Sequence, residues 1–182
     1  MTEHHENTPS ADRDALLMRL ADRSAIQDLI AAYGLGQDLH QDGDNDVLAE
    51  WDQVFAPEAT VDYTAAGAPA GLPYKDLAAL MRGPGGSMGG LIRWQHFEGV
   101  ATIRIDGDTA TARSPHVHTH KGRTGDADWN LIQTGYFLDR LERRPEGWRI
   151  IHRTLEITWM DTFPATAPAH SSSRGPSTGW PR

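Results

Sequence analysis

From Leu91 onward the chain alternates apolar and polar residues over long stretches, and two turn signals divide this region into two hairpins. The first hairpin turns at Asp106-Gly107-Asp108, a sequence that favours a tight turn, between strands at 92–105 and 109–120. The second joins strands at 130–141 and 148–159 across 143–147, and a polar loop at 121–128 links the two hairpins. The pattern therefore predicts a largely antiparallel sheet in the second half of the chain.

The first half of the chain has the period of helices. Apolar residues recur at three- and four-residue steps through 11–40, with Asp22 or Ser24 as the cap of a restart, which predicts a short helix followed by a longer one. Asp46 is positioned to cap a second helix through 47–55 that Pro57 ends. A strand at 59–64, a brief helix at 74–82 and an irregular glycine-rich connection at 83–90 complete this half. Helices followed by long strands predict an α+β domain, with helices covering one face of a curved sheet and a ligand cavity between them.

Length and composition limit the class of protein. The chain has 182 residues, a formal net charge of −8 and no cysteine, which fits one domain and excludes disulfides, zinc knuckles and thiol nucleophiles. The acidic balance argues against a nucleic acid or an anionic membrane surface as the partner. With no long apolar run and no secretion-signal profile at the start, the sequence predicts a cytoplasmic protein. We expect a flexible arm at 1–10, one domain at 11–163 and a disordered tail at 164–182.

Three groups of ionisable residues could carry chemistry, and each has a plain structural alternative. Tyr33 and Asp38 lie five positions apart, so they share a face only if the last helical turn is distorted, which Gly34 and Gly36 make plausible. Otherwise the tyrosine packs in the core and the aspartate is solvated.

The second group is His96, which is flanked by large aromatic residues. This environment lowers the pKa of an imidazole and keeps it neutral at pH 7. Its alternative is a half-buried histidine with a backbone partner.

The third group is His116, His118 and His120, which share one face of a strand because side chains alternate with a period of two. They point into the cavity if that face is concave and into solvent if it is convex. Alternating histidines also suit zinc or iron, but no spaced motif supplies a further ligand, so no metal site is expected. Nucleotide-binding glycine motifs and a serine nucleophile elbow are missing from the sequence.

Several segments together resemble the SnoaL-like branch of the nuclear-transport-factor-2-like (NTF2-like) superfamily. They are Ile-Ala-Ala-Tyr at 30–33 with Asp38, Trp-x3-Phe-Ala-Pro-Glu-Ala at 51–59, Val-Asp-Tyr at 61–63, Trp-Gln-His-Phe at 94–97, the turn-bearing segment 105–113 and Gly-Trp-Arg-Ile-Ile-x-Arg at 147–153, continuing to Trp-Met-Asp at 159–161. The resemblance spans about 12–162 and is strongest to the scytalone dehydratase and bile-acid dehydratase type. It implies a cone-shaped α+β fold around a deep pocket, often assembled into dimers or trimers.

The resemblance also implies roles for individual residues. Asp38, Tyr63 and His96 match positions of these dehydratases; Tyr33 matches the bile-acid type, whereas the fungal type has a tyrosine where this chain has Gln37. A second histidine of the fungal type falls on the strand of His116 and His118, and His118 is the choice here. His96 is then the base, Asp38 fixes its tautomer, Tyr33 or Tyr63 stabilises the enolate, and His118 or His96 protonates the leaving hydroxyl. The reaction needs no cofactor. The expected walls of an apolar substrate cavity are Trp51, Trp94, Phe97, Trp129, Leu131 and Trp159.

Three alternatives stay open at this point. Isomerisation, cyclisation or dehydrohalogenation would begin with the same proton abstraction. Hydration of an epoxide would need a carboxylate–arginine–carboxylate set, for which Arg113 and Arg153 are the plausible arginines but no carboxylate partner stands out. The domain could also bind a ligand or assemble with other chains without catalysing a reaction.

Overall fold

The computed structural model describes residues 9–41 and 46–166, with side chains from residue 11 onward. It confirms the α+β class, with helices preceding most of the strands. The helices are α1 (Pro9–Leu39), α2 (Leu48–Val54) and α3 (Tyr74–Arg82), and a short 3-10 turn covers Thr64–Ala66. The strands are β1 (Phe55–Asp62), β2 (Leu72–Pro73), β3 (Leu91–Glu98), β4 (Thr102–Asp106), β5 (Thr109–Thr124), β6 (Ala127–Arg144) and β7 (Gly147–Pro164).

The strands form one curved, open sheet of mixed direction. Their order is β2-β1-β7-β6-β5-β3, and β4 pairs with β5 beside β3. Strand β1 runs parallel to β7, whereas the other pairs are antiparallel. This arrangement follows from the sequence because the tight turns join β4 to β5, β5 to β6 and β6 to β7, while β1 reaches β7 from the helical half of the chain.

The core lies between the helices and the inner face of this sheet. Tyr33 of α1 is fully buried, stacks on Trp51 of α2 at 4.8 Å between ring centroids, and meets the edge of Phe137 of β6 at 5.4 Å. Aromatic rings therefore join α1 and α2 to the middle of the sheet.

Helix α1 is continuous, so the predicted restart at Asp22 or Ser24 is wrong. Instead of capping a helix, the Asp22 carboxylate accepts hydrogen bonds from Arg143 at 2.6 and 2.7 Å and from the Trp148 indole at 3.1 Å. The N-cap position of α2 is occupied by Val47 rather than Asp46, and Phe55 begins a strand rather than ending α2. Within the described residues, no helix combines the length and the apolar character needed to cross a membrane.

The strand expected at 92–105 is two strands, because the chain turns toward α1 between them. Gly99 donates its N–H to the Pro115 carbonyl at 2.8 Å, and the N–H of Ala101 donates to the Gln27 side chain at 2.8 Å.

The loop expected at 121–128 is instead the tip of the β5–β6 hairpin, which turns at Gly125 with a φ of +59°. The short helix α3 has its predicted bounds, and 83–90 forms turns without a regular element.

Two bulges decide which residues of β7 face inward. Register shifts at Thr134/Gly135 and Arg140/Leu141 interrupt the β6–β7 ladder. Before the shift at Arg140/Leu141, the buried residues of β7 are Trp148 and Ile150. After it, the buried residues are Arg153 and Leu155. The buried positions of β7 therefore change from even-numbered to odd-numbered residues between Ile150 and Arg153.

The predicted boundaries of the domain fall partly beyond the described residues. Helix α1 already begins at Pro9, inside the expected arm, and residues 1–8 lie outside the described chain. At the other end β7 continues to Pro164, and residues 167–182 lie outside the described chain.

Candidate active site

The end of α1 brings Asp38 to His96 on β3. The Nδ1 of His96 is 2.7 Å from one carboxylate oxygen of Asp38, and the backbone N–H of His96 donates to the other oxygen at 3.0 Å. The side chains are 17% exposed for Asp38 and 3% exposed for His96. A carboxylate held at two points fixes both the orientation of the imidazole and the tautomer with the proton on Nδ1, which leaves Nε2 free to accept a proton.

Glycines let the helix lie this close to β3. A Cβ atom on Gly34 would come within 3.2 Å of the His96 Cβ and 3.1 Å of the Glu98 Cγ, and one on Gly36 would come within 2.7 Å of the Glu50 Cβ. Helix α1 stays helical through Leu39, so the distortion of its last turn that the glycines made plausible does not occur. The two glycines act through close approach of neighbouring elements rather than through distortion.

Burial sets the protonation of this pair. It lowers the pKa of His96 well below its usual value, and it raises the pKa of Asp38 to about 6 against the opposing effect of the His96 backbone hydrogen bond. Around pH 7 the pair therefore consists of a neutral imidazole and an ionised carboxylate. That is the state a general base needs.

Two tyrosines form a second buried pair. The hydroxyls of Tyr33 and Tyr63 are 2.5 Å apart, and both residues are almost fully buried. Burial above all, with a smaller contribution from the negative charge of Glu98, raises the pKa of both phenols. They are thus protonated donors at neutral pH.

All three histidines of β5 face inward. Their ring centroids lie 4.2 Å apart for His116 and His118 and 6.4 Å apart for His118 and His120, and the His118 ring lies 4.4 Å from His96. His116 donates from Nε2 to the Glu156 carbonyl at 3.2 Å. Burial lowers the pKa of each of the three, so the row is neutral at pH 7. Among residues 9–41 and 46–166, no three His, Asp or Glu side chains are arranged to hold a metal ion.

The structure also places two carboxylates that the sequence did not single out. Asp139 forms a bidentate ion pair with Arg153 at 2.7 and 2.8 Å, and both side chains are fully buried. The expectation that Arg153 lacks a carboxylate partner is therefore wrong. Glu98 shares the inner face of β3 with His96, two residues away, and its side chain is 2% exposed. Glu98 could have been found from the sequence, because residues two positions apart on a strand share a face and His96 was already a candidate. The contact between Asp139 and Arg153 depends on the register of β6 and β7, which the sequence alone does not give.

The predicted aromatic walls divide into two groups. Phe97 and Trp159 are 55% and 47% exposed and lie on the outer face of the sheet, so their assignment to a cavity wall is wrong. Phe97 alternates with the buried His96, and the bulge in β7 pairs Trp159 with the outward-facing Thr134. Trp51 packs in the core between Tyr33 and Phe55 rather than against a cavity.

The remaining members lie on the inner side. Trp94 and Leu131 flank His120 in one row across β3, β5 and β6. Trp129, farther along β6, packs over Gly122 and donates from its indole to the Thr124 hydroxyl at 3.1 Å.

A cavity of about 600 Å³ opens beside the end of α1 that carries Asp38. It is lined by α3, the glycine-rich segment and the start of β3, including Arg82 and Trp94. The Arg82 guanidinium lies 4.5 Å from the Trp94 ring, and both side chains donate to the Gln37 carbonyl, at 3.0 and 2.9 Å. Two further grooves, of about 570 and 390 Å³, run across the outer face, and Asp38 and His96 line none of these three spaces in the described part of the chain.

Comparison with known proteins agrees with this architecture. The model of the SnoaL-like domain family matches residues 18–154. The uncharacterized protein Rv2910c of Mycobacterium tuberculosis is 32% identical over 147 residues, which are 78% of this chain and 90% of that protein. A solved NTF2-like protein with a cystatin-like fold from Novosphingobium aromaticivorans is 27% identical with a TM-score of 0.54, over 82% of this chain and 89% of that one. The predicted NTF2-like fold is thereby confirmed.

Two further solved structures share the fold at lower identity. One is a hexachlorocyclohexane dehydrochlorinase, LinA type 2, 19% identical with a TM-score of 0.65 over 86% of this chain and 98% of that one. The other is a candidate scytalone dehydratase from Novosphingobium aromaticivorans, 19% identical with a TM-score of 0.56 over 90% of this chain and 98% of that one.

Proposed function

Because this chain belongs to the SnoaL-like domain family, we propose that it is a dehydratase-type lyase that removes water from a small, largely apolar cyclic hydroxy-carbonyl compound. The observation that carries this proposal is the buried 2.7 Å contact between His96 and Asp38. The names of two similar structures, a dehydrochlorinase and a candidate dehydratase, denote eliminations, which fits the proposal.

Proton abstraction is the first step of the proposed reaction. The Nε2 of His96 takes the proton from the carbon next to the carbonyl group, and Asp38 stabilises the imidazolium that forms. A base of this kind typically contributes about 10²–10⁴-fold to the rate.

Charge then develops on the carbonyl oxygen and on the leaving oxygen. The Tyr33–Tyr63 pair supplies protonated phenols that could donate to the enolate, directly or through a water. His118, next to His96, is the proposed donor to the departing hydroxyl. These steps use side chains alone and require no cofactor.

The cavity beside Arg82 and Trp94 is the proposed approach for the substrate. It borders the helix end that carries Asp38, and its walls include Met81, Met88, Leu91 and Ile92. A wall that combines these apolar side chains with the cationic groups of Arg82 and Arg93 suits a ring compound that bears a few oxygen atoms.

The test is an elimination and exchange assay on a panel of cyclic β-hydroxy ketones. Ultraviolet absorbance follows formation of the conjugated enone, and NMR in D₂O follows loss of the proton next to the carbonyl. We expect enone formation by the wild type, a loss of at least about 10²-fold in His96→Ala, and a melting temperature close to that of the wild type. His152→Ala is the matched control, since this half-buried histidine bonds Thr60 at 2.8 Å on the other face of the sheet.

Other outcomes would replace the proposal. Exchange that depends on His96 but releases no water would indicate an isomerase or cyclase that uses the same pair. Binding of panel compounds without exchange or elimination would indicate a ligand-binding module. The epoxide-hydrating alternative is less favoured, because the charged groups of Asp139 and Arg153 are fully buried and are bound to each other through two hydrogen bonds.

A further inference from the structure

Glu98 is a buried acid that the proposed reaction has not used. It follows His96 by two residues on β3, and its side chain is 2% exposed. Within the described residues neither of its carboxylate oxygens has a hydrogen-bond partner. An ionised carboxylate in such surroundings is strongly unfavourable, and protonation relieves the cost.

His118 lies diagonally across the β3–β5 ladder from this acid. Its Nε2 is 3.5 Å from the Oε1 of Glu98, and this nitrogen likewise has no hydrogen-bond partner among the described residues. The His118 ring is in edge contact with His96, at 4.4 Å between ring centroids. Two unpartnered polar atoms thus face each other directly beside the Asp38–His96 pair.

The surroundings of Glu98 favour its protonated form. Burial raises the pKa of Glu98 to about 7, and burial lowers the pKa of His118 below its usual value. The positive charge of Arg153 opposes the first of these effects, whereas the negative charges of Asp139 and Asp38 add to it. The ionisable groups that interact with Glu98 or contact it come from five elements: Tyr33 and Asp38 of α1, Tyr63 after β1, His116 and His118 of β5, Asp139 of β6 and Arg153 of β7.

Resting on the proposed function, we propose that Glu98 and His118 share one proton, and that Glu98 is the positioning residue that supplies this proton to the leaving group through His118. The Nε2 of His118 takes the proton of Glu98 while the other ring nitrogen gives its proton to the departing hydroxyl. The carbon–oxygen bond breaks with its electron pair on oxygen, and water forms. Glu98 is then a carboxylate and His96 an imidazolium, and return of the proton from His96 to Glu98 restores both groups.

The first test needs no substrate. In the wild type, NMR of ¹³C-labelled glutamate and ¹⁵N-labelled histidine should show the Glu98 carboxyl titrating near pH 7, with the His118 Nε2 signal moving at the same midpoint. In Glu98→Gln the His118 movement at that midpoint should disappear. Glu156→Gln is the matched control, because this carboxylate lies on an exposed part of β7, 3.9 Å from Arg113, and should leave both signals unchanged. Titration of Glu98 near the ordinary glutamate value, or an unchanged His118 signal in Glu98→Gln, would overturn the shared proton.

The second test separates proton donation from proton abstraction. With a panel compound that the wild type converts, Glu98→Gln should keep its exchange in D₂O within about threefold and lose about 10²-fold in water release. Glu98→Asp should recover part of the lost rate. Equal loss of exchange and elimination would show that Glu98 acts on folding or substrate binding and would overturn its role. Failure of the proposed function would look different, since the wild type itself would then show no His96-dependent exchange.

Discussion

At the scale of single residues, the site brings together ionisable groups whose pKa values are shifted by burial. Glu98 and four histidines lie on the inner face of the sheet, and Asp38 of α1 is bound to one of these histidines, all with little exposure to water. The shifts run in opposite directions for the acids and the imidazoles, because burial always disfavours the charged form. A neutral base beside a neutral acid is the arrangement that elimination requires.

The pH dependence of activity should show the titration of the Asp38–His96 pair. We expect kcat/KM to fall about tenfold per pH unit below about pH 6, because the pKa of Asp38 is raised to about 6 and its protonation removes the ionised partner of His96. The midpoint belongs to the coupled pair rather than to either residue alone. A pH series of kcat/KM on a converted panel compound checks it.

Asp38→Asn supplies the comparison. This variant should lose about 10²–10⁴-fold in kcat/KM, and its residual activity should lack the limb near pH 6. An acid limb retained at pH 6 in Asp38→Asn would assign that titration to another group.

At the scale of elements, the close fit of α1 to its neighbours positions the site. Gly34 lies against Glu98 and His96 of β3, and Gly36 lies against Glu50 of α2. Glycine in the middle of a helix costs about 0.5–1 kcal/mol relative to alanine. Here that cost is offset by the close contact that the absence of a Cβ atom permits.

Gly36→Ala should therefore destabilise the protein despite the better helix propensity of alanine. The new Cβ would lie 2.7 Å from the Glu50 Cβ, which cannot move without the backbone of α2, so we expect a loss of about 1–3 kcal/mol in the free energy of unfolding. Urea denaturation measures it. Ser24→Ala at an exposed position of the same helix is the control and should change stability by less than about 0.5 kcal/mol. A stabilised Gly36→Ala would show that α2 adjusts freely.

At the scale of the whole molecule, one buried ion pair joins the helical layer to the sheet. The guanidinium of Arg153 on β7 pairs with Asp139 on β6 and lies 4.2 Å from the centroids of both the Tyr33 and the Phe137 rings. It occupies the middle of an otherwise aromatic core. A charge in this position depends on its partner, since water cannot replace the lost hydrogen bonds.

Asp139→Asn should lower the free energy of unfolding by about 3–5 kcal/mol, because it leaves a buried charge unpaired. The double variant Arg153→Met with Asp139→Leu should recover much of this loss, and thermal and urea denaturation would measure both. Glu142→Gln, which breaks a partly exposed pair with Arg144 at 2.8 Å, is the control and should cost no more than about 1 kcal/mol. A loss below about 1 kcal/mol in Asp139→Asn would contradict the dependence of Arg153 on its partner.

Local patterns in the sequence determined the class of fold, the bounds of α3, the turn at Asp106-Gly107-Asp108 and the common face of the three β5 histidines. Such features depend on residues within a few positions of one another, through helical or strand period and turn chemistry. The resemblance to dehydratases also drew attention to both Asp38 and His96, which lie 58 positions apart and are joined in the structure.

Only the tertiary structure decided the rest. The division of 92–105 into two strands depends on hydrogen bonds to Gln27 and Pro115, and the outward positions of Phe97 and Trp159 depend on alternation from His96 and on a bulge. The partner of Arg153 and the unpartnered carboxyl of Glu98 likewise arise from strand register and from the approach of α1. A shift of one residue in register exchanges the two faces of a strand, and no short stretch of sequence specifies contacts with distant strands.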